Sequence, residues 1–155
     1  MLPAKLQRLL EIFDLFPDMT DRTAMLLSYA DQFREVPGEI ATRPFDPQHR
    51  VPHCESDAYV WAVKQPDETL QLYFAVDNPS GVSAKALAAI LEKTLNGQPA
   101  RDVAAIDANI VERLFRQNMS MGKGMGLMSM VQAVQALAKA ASADERSQHD
   151  PREPG

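Results

Sequence analysis

Leu2, Leu6, Leu9, Leu10 and Phe13 recur at the spacing that places them on one face of a helix, with Lys5, Arg8, Glu11 and Asp14 elsewhere on its circumference. Pro3 can stand in the first turn, where its missing N–H would have no helical partner, and Pro17 closes the segment. Thr20 or Asp21 is placed to cap a second helix whose inward stripe is Leu26, Tyr29, Ala30 and Phe33. The periodicity then stops. Residues 36–53 hold Pro37, Gly38, Pro44, Pro47 and Pro52, which predict an extended, irregular connection. It is longer than most loops, and loops of that length often carry function.

Two strand-like runs follow, 58–64 and 69–76, joined by Gln65, Pro66, Asp67 and Glu68. In the second, Leu70, Leu72, Phe74 and Val76 alternate with Gln71, Tyr73 and Ala75, the period of a strand with one face on a core. The first run is apolar on both faces and is expected to be the more central strand. A hairpin alone is marginal in water, so helices should cover one face, with a third strand expected from the loop before Cys54. Ser83 is placed to cap a helix that turns Leu87, Ile90, Leu91 and Leu95 inward, with Gly97 just past its end. A shorter helical piece over 106–116 follows Pro99, then the punctuated stretch NMSMGKGMGLMSM. A last helix should run to about Ala141 with Leu127, Val131, Val134 and Ala138 inward. The expected architecture is α+β, helices packed on a small antiparallel sheet, in one domain over residues 1–141. Residues 142–155 have almost no apolar side chains and are expected to form a disordered tail.

Composition narrows the function. The 155 residues are 45% hydrophobic and 24% charged, ordinary for a globular chain. A formal net charge of −5 argues against a nucleic-acid partner, whose phosphates call for a basic surface. No apolar run approaches the roughly 18–20 residues that span a bilayer. The first residues lack the basic head and apolar stretch of a secretory signal, so the expected setting is cytoplasmic, with no membrane partner. One cysteine, Cys54, excludes an intramolecular disulfide and suits a reducing compartment.

Cys54 leaves the proline-rich connection at HRVPHCESDAYVWAV, and three roles are open to it. Unoxidised cysteine often fills a core. His49, His53, Cys54 and Glu55 are ligand types that suit zinc, which would make this a small His/Cys zinc-binding module, although Pro52 disrupts a helical pairing of the two histidines. The third role is a nucleophilic thiol, whose thiolate is favoured by exposure and nearby positive charge such as Arg50 and His53, with Ser56 able to donate a hydrogen bond. A self-contained cysteine hydrolase would also need an oriented histidine base, which no spacing here supplies.

RVPHCESDAY resembles the signature of the SufE family of sulfur acceptors, approximately V-x-G-C-x-S-x-V-W. LNGQPARDVAAID resembles the family's L-x-G-x-[ST]-P-x-[ED]-[IV] segment, and NMSMGKGMGLMSMVQAV its L-[ST]-x-x-R-x-x-G-[LF]-x-[AS]-M-x-x-x-[IL] segment. The likeness runs from about residue 4 to about residue 140, with several motifs in the right order. It implies a SufE-like fold and a protein that takes sulfur from a pyridoxal-phosphate cysteine desulfurase, stimulates that enzyme, and relays sulfur toward an iron–sulfur cluster scaffold. Cys54 then corresponds to the sulfur-accepting cysteine and Ser56 to the motif serine. Tyr59 stands where an aromatic, usually Trp, follows, Lys123 occupies the position of the usual arginine, and Gly126 and Leu127 match the family's Gly-Leu. His53 replaces the common glycine, where a non-glycine residue resists positive φ. Trp61 lies two residues beyond Tyr59 on the same strand face, and Lys123 keeps a charge but not arginine's bidentate fork.

On this resemblance the chain is not itself an enzyme. It needs no metal and no cofactor of its own, since the pyridoxal phosphate stays with the desulfurase, and it acts as a monomer or homodimer. The alternative is a noncatalytic adaptor of a desulfurase with a structural cysteine. Transpersulfidation needs only a thiolate that attacks the terminal sulfur of a partner's cysteine persulfide, as in thiol–disulfide exchange. Met119, Met121, Met125, Met128 and Met130 crowd one segment and could bind Cu(I). The helical stripe shared by Leu127 and Met128 favours core filling instead, with the segment packed near Cys54.

Overall fold

Helix α1 (Ala4–Asp14) buries Leu6, Leu9, Leu10 and Phe13, the stripe that its spacing predicts. The computed structural model describes residues 2–54, 56–116 and 121–148, with side chains as far as residue 143. Helix α2 (Met19–Asp31) is capped by Asp18, whose carboxylate accepts the Thr20 N–H at 2.7 Å. The cap is therefore neither Thr20 nor Asp21, because the side chain just ahead of the first turn reaches its orphan N–H groups. Leu26, Tyr29, Ala30 and Phe33 lie partly buried against the core as expected. The one fully buried side chain of α2 is Arg22. Its guanidinium donates to the carbonyls of Phe13 and Phe16 at the end of α1, and to those of Arg113 and Leu114 in helix α5 (Ile110–Phe115). Burial lowers its pKa, and the carbonyl-rich helix ends offset the charge.

The sheet has three strands in the order β1 (Ala58–Lys64), β2 (Thr69–Val76) and β3 (Gln98–Pro99), all antiparallel. Ala58 lies opposite Val76 and Lys64 opposite Leu70, so the two expected strands pair as a hairpin. The central strand is β2, not β1. Strand β1 is apolar on both faces because the connection 36–53 covers its outer side, not because strands flank it. Its Ala58 and Val60 join the main core, while Trp61 joins a second cluster with Val36 and Ala75, against which Phe45 and Tyr59 pack. The third strand comes from Gln98 and Pro99, and the chain between α2 and Cys54 supplies only isolated bridges, Glu35 beside Phe74 and Arg50 opposite Tyr59.

Helix α3 (Val82–Leu95) packs between α2 and β2, burying Leu87, Ile90, Leu91 and Leu95. Its N-cap is Gly81, ahead of the expected Ser83, and no side chain caps it. Gly97 follows with φ +82° and donates its N–H to Leu70 at 2.9 Å, which turns the chain into β3. The helix expected over 106–116 is found shortened as α5, and a further short helix not expected from the sequence, α4 (Ala100–Ala104), precedes it. Asp107 separates them by accepting the Asn109 N–H at 2.8 Å, a local turn that competes with helix. Helix α6 (Met121–Gln148) lies across β1 and α4. It starts inside the glycine- and methionine-rich stretch and continues to Gln148, past the expected end near Ala141. The rest of the expected tail, residues 149–155, lies outside the described residues. Among those described, no helix is long and apolar enough to cross a membrane.

Candidate functional site

Cys54 sits on a turn that continues the edge of β1. Arg50 pairs with Tyr59, and the Val51 N–H donates to Ala58 at 2.8 Å, so the two legs run antiparallel up to the turn. The Asp57 N–H closes it on the Cys54 carbonyl at 3.2 Å. His53 and Asp57 both take positive φ, +59° and +50°. His53 thus adopts the left-handed conformation that glycine would hold more easily, and this is tolerated because the residue is exposed and its ring is not confined by the core. The chain leaving β2 holds the far side: the Asn78 N–H donates to Ser56 at 3.1 Å and the Asp77 N–H to Asp57 at 3.2 Å.

The thiol is free and the residue is only 8% exposed, within the main core cluster. Its neighbours Pro52 and His53 are exposed. Cys54 therefore stands at the boundary between core and solvent. Two glycines lie against it. Gly126 of α6 approaches the main chain of His53 and Cys54, and Gly81 at the start of α3 approaches the Ser56 side chain.

The remaining candidate residues are not all at the thiol. Ser56 is on the turn and half-buried. Tyr59 points to the outer face of the sheet, its ring 5.1 Å from Phe45 and 6.2 Å from Trp61, so it backs the turn and does not face Cys54. Trp61 does share that face. Lys123 is exposed on α6, in the turn preceding Gly126. Arg50 directs its guanidinium to an ion pair with Asp57. His49 Nδ1 donates to the Val60 carbonyl at 3.1 Å, and its ring stacks on Trp61 at 5.2 Å. The alternative zinc set is therefore not assembled among the described residues. Among the described residues no three His, Cys, Asp or Glu side chains could hold a metal, and Glu55 lies outside those residues.

Of the methionines in the crowded segment, Met130 is fully buried whereas Met121, Met125 and Met128 are exposed, and Met119 lies outside the described residues. Among the described residues of the segment, core filling holds for Met130 alone. Met128 falls off the inward stripe that Leu127, Val131 and Val134 follow, because α6 presents only one side to the sheet. Sequence reasoning missed Gly81 and the backbone donors of Asp77 and Asn78. A glycine just ahead of a strong helical stripe was the available signal for the first, and nothing in residue type signals the others.

The chain matches the family described as "SufE: Fe-S metabolism associated domain" over residues 7–138. It is 28% identical over 138 residues to SufE-like protein 1, chloroplastic/mitochondrial, of Arabidopsis thaliana, covering 88% of this chain and 35% of that protein. It is 28% identical over 145 residues to an uncharacterized SufE-like protein of Rhizobium etli, covering 90% and 93% of the two chains. The solution structure of a hypothetical protein from Thermus thermophilus superposes with a TM-score of 0.71 at 26% identity, over 92% of this chain and 99% of that one. The chain thus spans about a third of the Arabidopsis protein's length and nearly all of the other two.

Proposed function

The chain belongs to the SufE family, whose domain is associated with iron–sulfur metabolism, and from that premise we propose that it accepts persulfide sulfur from a cysteine desulfurase onto Cys54. The observation that supports this most is placement. The chain's one thiol is on a backbone-held turn at the end of a strand, nearly buried but flanked by exposed Pro52 and His53.

The Cys54 thiolate attacks the terminal sulfur of the donor's cysteine persulfide. A new S–S bond forms on Cys54 as the donor's S–S bond breaks, and the donor leaves as its thiolate, which takes up a proton from solvent. No net oxidation occurs, since the incoming sulfur arrives already at the persulfide level. No base triad is required, because the partner, which holds the pyridoxal phosphate, supplies the activated sulfur. The same step in reverse sense, onto a scaffold thiol, delivers the sulfur to iron–sulfur cluster assembly. Reaching a partner's active site requires the turn to move outward. Exposed Lys123 contributes positive charge to the surface on the same side, and a free thiol suits a reducing compartment, in our reading the cytoplasm.

Intact-protein mass spectrometry after incubation with a desulfurase and cysteine tests this reading. Wild type should gain about 32 Da, one sulfur atom, and Cys54→Ser should gain nothing and fail to stimulate the enzyme while keeping its fold. A wild-type protein that never gains this mass would sink it. The burial of Cys54 in the core cluster favours a second reading, a noncatalytic adaptor with a structural cysteine. Undiminished stimulation by Cys54→Ser would establish that one.

A further inference from the structure

Helix α6 meets the Cys54 turn with backbone and not with a side chain. A Cβ at position 126 would stand 3.2 Å from the His53 carbonyl oxygen, 3.3 Å from Cys54 Cα and 3.8 Å from Cys54 Cβ. The first two distances are tighter than ordinary van der Waals contact, and both atoms are main-chain, so no rotamer change relieves them. One of the two bodies must give. Helix α6 is anchored in the core by Leu127, Met130, Val131 and Val134, all fully or nearly fully buried. The turn is held by a few main-chain hydrogen bonds and its Pro52 and His53 are exposed, so it yields first.

We propose that Gly126 is a positioning residue that sets how deeply the Cys54 thiol is buried, and hence how readily it reacts. A side chain at 126 lifts the turn off α6 and carries the thiol toward solvent. Gly81 makes a second seat at the other end of the turn, where a Cβ would lie 3.0 Å from both Cβ and Oγ of Ser56. It would also lie 2.9 Å from Val76 Cγ1, so substitution there strains the core as well and separates the effects less cleanly. The inference rests on Cys54 being the reactive group of the proposed function, but not on the identity of its sulfur donor.

The test is the alkylation rate of the native full-length protein with iodoacetamide, read by mass. Gly126→Ala and Gly126→Ser should each react about tenfold faster than wild type, and Gly126→Val faster still, with the circular dichroism of the folded protein retained by the two smaller variants. Val134→Ala removes core contacts on the same helix away from the turn; it should lower stability and leave the alkylation rate at the wild-type value. Unchanged rates in the Ala and Ser variants would overturn the inference, as would an equal rise in Val134→Ala, which would mean general loosening. The assay uses neither desulfurase nor persulfide. Its failure leaves the sulfur-acceptor reading standing, and an absent mass gain with the desulfurase leaves the steric seat standing.

Discussion

Two consecutive stretches of the chain, residues 36–49 and the Cys54 turn at 50–57, are held to the same strand by different means. The first is fastened by side chains. Phe45 meets Trp61 edge-on at 5.0 Å, His49 stacks on Trp61 at 5.2 Å, and Arg43 lies 4.7 Å over the Phe45 ring while pairing with Glu35 and Asp77. The second is fastened by main chain, through the N–H groups of Val51, Asp57, Asp77 and Asn78, and rests on two glycines. A side-chain lock tolerates small backbone shifts but not truncation. A main-chain lock tolerates changes in the side chains it displays and gives way when something is added beneath it. For the proposed function, in which the thiol meets both a donor and a recipient, the second arrangement serves well, because the residues around the thiol can vary without releasing it.

Removing a side chain from the layer that fastens the first stretch should have the largest effect. Trp61 is 7% exposed, and Trp61→Ala should cost about 3–5 kcal/mol in urea unfolding, the usual range for a buried aromatic. A loss under about 1 kcal/mol would mean that the aromatic layer does not hold the connection. Phe45→Ala, at a half-buried position, should cost about 1–2 kcal/mol, most of it from ring contacts with Trp61 and Tyr59. No change in its unfolding midpoint would dissociate the loop from the sheet.

Changes to the side chains of the turn should matter much less. His53→Gly relieves a left-handed residue, worth about 1 kcal/mol, against the entropy that glycine adds to the unfolded chain, for a net gain of about 0.5 kcal/mol. A clear loss in thermal unfolding would show that the imidazole makes a contact on which the turn depends. Smallest of all is Arg50→Ala. Its ion pair with Asp57 is about half exposed, so its removal should cost at most about 0.5 kcal/mol and less in high salt. A larger, salt-insensitive loss would move the turn into the class of side-chain locks.

The elements were legible wherever a local period carried them. The α1 stripe and strand β2 follow from residue spacing alone, because period and burial are the same fact along a helix or strand. Cys54 stands out in the sequence by its motif and by being the chain's one cysteine. Other features had no local signature. Strand β1 reads as central because it is apolar on both faces, yet a loop supplies its second cover. The first turns of α6 contain Gly122, Gly124 and Gly126, which weaken helix locally, and packing along the rest of the helix overrides that preference. Arg22 stands one turn before Leu26 on the inward stripe of α2, so spacing turns it toward the core, but the carbonyl ends of α1 and α5 that accept its guanidinium are announced by no spacing.

By itself the chain's order of residues determined the family, the α+β class, the two strands of the hairpin and the presence of one thiol. These depend on residue identity and short-range period, which a linear reading contains. Only the tertiary structure decided that β2 is central, that Tyr59 faces away from Cys54, that His49 is committed to Trp61, and that Gly126 lies directly beneath the thiol's own backbone. Each of those is a contact between segments separated along the chain, and the distance between two such segments is set by how the whole core packs.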